Sequence, residues 1–215
     1  MNSFLNHEND IMSVLTRLVD VFVLGILWML CSIPVITIGA SSTAFYYAFN
    51  KAVRQKRGYA WKEFFYSFKM NFKQSTKVWL MELGIGLMSV LDCVILSQLS
   101  EQIPMTTVWI GILIALFALV MMWGLFLFPY LARFENETKV ALKNVAIILA
   151  ANFLWGILLF AIFVIAVLVS LWIPLFGVFA PSVYMVFANY ILEQIFKKYM
   201  TEEDLEREKE IEKIG

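Results

Sequence analysis

Val108–Phe128 reads VWIGILIALFALVMMWGLFLF and contains no charged residue. A helix needs roughly 20 mostly apolar residues to cross the hydrocarbon core of a bilayer, and this run has that length and polarity. Four more such runs lie around it: Val21–Ile38; Val78–Leu96, interrupted by Glu82 and Asp92; Val145–Trp172, uncharged; and Phe176–Phe196, carrying Glu193 near its end and broken by Pro181. The fold expected is all-α: a polytopic helical membrane protein of about five transmembrane helices, with amphipathic helices on the cytoplasmic side. Composition points the same way. Of 215 residues, 61% are hydrophobic and 16% charged, against roughly 45–50% and about 25% in soluble chains. Residues 1–200 are expected to form one membrane-embedded domain, followed by a charged cytoplasmic tail at 201–215.

Net charge is zero, but the signs are segregated. Lys51, Arg54, Lys56, Arg57, Lys62, Lys69, Lys73 and Lys77 separate the first two runs with only Glu63 against them, and Arg133, Lys139 and Lys143 separate the third and fourth. Basic links stay cytoplasmic. The other links and residues 1–16 hold no Lys or Arg, whereas Lys197, Lys198, Arg207, Lys209 and Lys213 follow the last run. Alternation then puts the N-terminus outside and the C-terminus in the cytoplasm, with Arg17 alone weighing against it. Nothing resembles a cleavable leader, so the first apolar run is expected to remain. Nucleic acid is not an expected partner; the lipid bilayer is.

Pro34, inside the first run, frees the carbonyl of Leu30 and predicts a kink, with Ser32 and Thr37 near enough to satisfy the bent backbone. After Gly39, Ala40, Ala44, Ala48 and Ala52 recur every fourth residue, a small-residue stripe that suits close helix packing, within the chain or in a homo-oligomer. Trp61, Phe64, Phe65, Phe68 and Phe72 share one face of an amphipathic helix beside a ridge of Lys62, Lys69 and Lys73, as in a helix lying on an anionic membrane surface. The competing reading packs that face on the protein's own spans. Thr201 can cap a helix whose first turn holds Glu202, Glu203 and Asp204.

Chemistry is sparse. His7 is the only histidine, Cys31 and Cys93 read as small core residues, and no phosphate loop, zinc-protease or nucleophile-elbow motif occurs. Neither an enzyme nor a cofactor is expected. The remaining candidates are polar residues at membrane depth: Glu82, Asp92, Asn152, Asn189 and Glu193. Glu82 and Asp92 lie roughly 80° apart on a helix, so both can face one side. Either they line a polar site or they reach for the two membrane surfaces.

The strings Leu27-Trp28, Ser32-Ile33-Pro34-Val35-Ile36-Thr37-Ile38-Gly39, Ala44, Tyr46-Tyr47, Phe64-Phe65, Phe68-Lys69 and Asn71-Phe72 resemble the YesL family of bacterial multi-pass membrane proteins. The resemblance covers about residues 18–73, with Ala40 where family members often carry Pro. It implies association with carbohydrate-uptake ABC systems and supplies no catalytic residue. The function expected is an accessory or scaffold in the bacterial cell membrane, in contact with ABC permease subunits through Lys51–Lys77. The alternative is a small oligomeric carrier using the carboxylates of the second span.

Overall fold

The computed structural model describes residues 2–99, 105–200, 202, 205 and 206, without the side chains of 2–11, 13 and 99. Among the described residues, seven α-helices follow one another: α1 Asn2–Ser32, α2 Ile38–Ala48, α3 Ala60–Leu99, α4 Thr106–Arg133, α5 Thr138–Ala151, α6 Phe153–Trp172 and α7 Pro174–Phe196. No strand occurs among the described residues. Among the described residues, five stretches are long and apolar enough to cross a membrane: Val14–Ser32, Ala60–Gln98, Thr106–Arg133, Phe153–Trp172 and Pro174–Tyr199. The chain is an all-α polytopic membrane protein. Side chains such as Leu154 and Trp172 are 80% and 90% exposed, which only lipid makes tolerable over so much apolar area. The charged tail from Thr201, with its expected cap, lies almost wholly outside the described residues.

Pro34 does not kink a continuing span. It ends α1 at Ser32, because it cannot donate to the helical ladder and drives the preceding residue out of helical conformation. A single 3-10 turn, Val35–Thr37, reverses the chain. The Thr37 hydroxyl bridges the carbonyls of Cys31 and Pro34, and the Leu30 carbonyl freed by Pro34 accepts the Ile33 N–H at 3.4 Å. α2 then returns antiparallel along α1, with the Trp28 indole N–H donating to Ser42 Oγ at 3.0 Å. Leu24 joins Tyr46 and Phe49 in one core.

α2 is the buried centre of the molecule. Ala40, Ala44 and Ala48 are fully buried and Ala52 nearly so, and the lack of larger side chains lets α1, α3 and α4 all reach the helix. Packing contacts stabilise such an arrangement in lipid, where burial of apolar surface gives no advantage. α3 runs antiparallel to α2: Thr43 and Ser75 hydroxyls are 2.9 Å apart, and Lys51 pairs with Glu63 at 2.8 Å. A Cβ at Gly39 would come within 2.6 Å of both the Ser75 carbonyl oxygen and Trp79 Cβ. Glycine is therefore required there by close approach rather than by its dihedrals.

Four boundaries differ from the sequence reading. The amphipathic segment Trp61–Lys73 and the second span form one 40-residue helix, about 60 Å long at 1.5 Å per residue. Gln74-Ser75-Thr76-Lys77 contains no helix breaker, and Phe64 and Ser67 are buried beneath neighbouring elements while Lys62, Lys69 and Lys73 stay exposed. The fourth run, Val145–Trp172, divides into α5 and α6 at Asn152 (φ −123°, ψ 37°). There the Asn152 side-chain amide donates to the Ile148 carbonyl at 2.9 Å. α4 continues through Pro129 to Arg133, and α7 continues through Pro181. Burial of Phe126–Leu131 and of Ala180 and Ser182 holds these helices across the missing N–H.

Candidate functional site

The most connected polar group is Glu193, near the end of α7 and 1% exposed. Its Oε1 accepts from the Tyr46 hydroxyl at 2.8 Å and from Asn50 Nδ2 at 3.0 Å. Its Oε2 lies 3.0 Å from Arg54 Nη1 and 3.5 Å from Arg133 Nη2. The Arg54 contact is a charge pair without hydrogen-bond alignment, since neither atom has a hydrogen-bond partner. One buried carboxylate thus joins α2, the segment after it, α4 and α7. Burial, then the charge and hydrogen bond of Glu193, push the Tyr46 hydroxyl well above its ordinary range, so it remains a donor.

Local backbone explains how Asn50 and Arg54 reach this point. Phe49–Arg54 is a π-helical turn, with the Gln55 N–H bonded to the Asn50 carbonyl at 3.0 Å. The wider turn re-aims side chains, and such turns recur at functional sites. Lys56 (φ 56°) and Gly58 (φ 74°) then reverse the chain into α3. Any Cβ at Gly58 would also meet the Glu63 carboxylate. Burial lowers the Lys51 ammonium, but hydrogen bonds to Glu63 and Tyr47 outweigh it and leave it above its ordinary value.

The polar residues singled out in the sequence are not one site. Glu82 is 3% exposed, facing α4 where a Cβ at Gly124 would collide with its carboxylate, and its Oε2 has no partner. Asp92 is exposed farther along α3, so the two carboxylates do not share a side. Asn152 serves the α5–α6 junction, where its amide also donates to the Tyr199 hydroxyl at 3.0 Å. Asn189 is buried one turn before Glu193, its Nδ2 unpartnered. Pro34, Thr37 and Gly39 build the α1–α2 turn. Tyr46, Asn50, Arg54 and Arg133 were not anticipated as Glu193 partners. The first three recur every fourth residue, which marks a helical row; Arg133 carries no comparable signal.

Two guanidiniums face one carboxylate here, and Arg133 also donates to the Met200 sulfur at 3.4 Å. Lys51, Lys56 and Arg57 adjoin the cluster on one side and Lys197 and Lys198 on the other. Chemically, this arrangement clamps helices and presents positive charge around the clamp. Residues 21–93, about a third of the chain, match the model of a family described as "Protein of unknown function, DUF624". No curated protein and no solved structure matches the chain.

Proposed function

We propose that this is a YesL-type protein of the bacterial cell membrane, acting as an accessory or scaffold to an ABC system for carbohydrate uptake. Its permease partners meet the basic end around Glu193. The observation that supports this reading is the clamp itself: one buried carboxylate fixes α2, α4 and α7 at the end where the flanking bases gather. A rigid, positively charged end suits recognition of another protein better than turnover of a substrate. The basic end and the C-terminus face the cytoplasm. The α1–α2 hairpin and the contact of α1 with Phe49–Arg54 support a cytoplasmic start of α1 as well, where alternation of five spans puts it outside.

Affinity isolation of the tagged protein in mild detergent tests the role. Recovery of two permease subunits is expected, together with loss of that recovery when Lys56, Arg57 and Lys198 are replaced by Glu. Solute uptake by the purified protein alone in liposomes would overturn the scaffold reading in favour of a carrier.

A further inference from the structure

A cavity of about 350 Å³ lies among α4, α6, α7 and the α1–α2 hairpin. Its wall contains Leu125 with Pro129 and Gly177 with Pro181. These are the two helix-interior prolines of α4 and α7, each with the residue four positions before it. Proline has no N–H, so the carbonyls of Leu125 and Gly177, two residues that line one cavity, lose their i+4 helical donors. Irregular backbone acceptors at membrane depth persist where they are buried in protein or border a cavity.

The remaining wall defines the guest. No charged residue lines the cavity, so a bound cation or anion would lack a counter-charge. The Trp28 indole is already bonded to Ser42, and Ser170 donates to the Ala166 carbonyl at 2.6 Å. The Tyr184 hydroxyl on the same wall is buried without a hydrogen-bond partner; the other lining groups are apolar, and the rim includes Val167 and Leu171, 43% and 74% exposed on the lipid-facing side of α6. We propose that this cavity binds an uncharged long-chain amphiphile entering from the bilayer. Its alkyl chain occupies the apolar wall, and its hydroxyl head accepts from the Tyr184 hydroxyl and donates to the Leu125 or Gly177 carbonyl.

The test uses the full protein in phosphatidylcholine vesicles with two photoreactive probes, a diazirine-bearing hexadecanol and the matching hexadecane. Mass spectrometry locates the adducts. Alcohol adducts should concentrate on the cavity-facing residues of α4, α6 and α7 and exceed alkane adducts there by roughly fivefold, the worth of one hydrogen bond. Unlabelled dodecanol should compete better than dodecane. In Pro129→Ala with Pro181→Ala and Tyr184→Phe, restored N–H groups occupy both carbonyls and the phenol hydroxyl is gone. Alkane labelling should persist while the preference for alcohol disappears. Ala166→Phe with Ala180→Phe fills the cavity and should remove both kinds of adduct. Equal labelling and equal competition in the unmodified protein, or adducts spread evenly over the lipid-facing helices, would overturn the proposal even if a variant failed to fold. An alcohol preference that survives all three changes would do the same.

Discussion

Glu193 shows how one side chain can organise a membrane protein's interior. Glu193→Gln keeps an acceptor for Tyr46 and Asn50 but removes the buried carboxylate charge that faces Arg54 and Arg133. The expected loss is about 3 kcal/mol, because an orphaned buried charge costs more than the pair contributes. Arg54→Met should cost less, about 1 kcal/mol, since the Arg54 side chain is 31% exposed and Arg133 remains. Denaturant unfolding in detergent measures both, and the reverse order would reject Glu193 as the clamp. Glu82 offers a second test. Gly124→Ala should destabilise by about 1 kcal/mol through the crowded carboxylate, and most of that cost should vanish when Glu82→Ala is combined with it. Asp92→Asn, on an exposed position, should leave both stability and partner recovery essentially unchanged.

Among the helices, α1 and α2 form a hairpin whose turn depends on Thr37. Thr37→Val leaves the Cys31 and Pro34 carbonyls without their hydroxyl donor and should destabilise by about 1–2 kcal/mol, whereas Thr37→Ser should be nearly silent. Unfolding measurements on the pair check this; equal losses would mean that the methyl group, not the hydroxyl, matters. α3 combines two sequence signals in one rod. Its aromatic side chains stack along the helix, Phe64 on Phe68 at 6.2 Å and Phe68 against Phe72 at 5.5 Å, while Lys62, Lys69 and Lys73 point away from the core. Changing all three to Gln should weaken the purified protein's association with anionic vesicles by roughly 1 kcal/mol per charge and leave its unfolding unchanged. A large drop in stability instead would assign the lysines to packing.

Taken together, the helices are staggered: α1 packs against α2 and α7, while the apolar half of α3 pairs with α4, where a Cβ at Gly86 would lie 3.3 Å from the Phe117 ring. Single cysteines test the resulting topology in a background with Cys31 and Cys93 replaced by Ser. Probes at Arg17 and Arg57 should both resist an impermeant thiol reagent in intact cells, and one at Leu175 should react. A reactive Arg17 probe with a shielded Arg57 probe would restore five alternating spans.

The all-helical, membrane-spanning class was legible in the chain because hydropathy is a sum over local residues and needs no knowledge of neighbours. The spacing of Ala40, Ala44, Ala48 and Ala52 likewise marked a smooth helical face, and the match over residues 21–93 overlaps the segment singled out by its motifs. Helix ends were less legible. Pro34, Pro129 and Pro181 remove the same hydrogen bond, yet one ends a helix and two do not. Hydropathy cannot register whether surrounding side chains hold the weakened turn. Glu193 was recognisable as a costly group at membrane depth, but its partners come from positions 46, 50, 54 and 133. Only the antiparallel return of α2 and the π-turn bring them together, because a carboxylate's counter-charges are selected by distance in space and not along the chain.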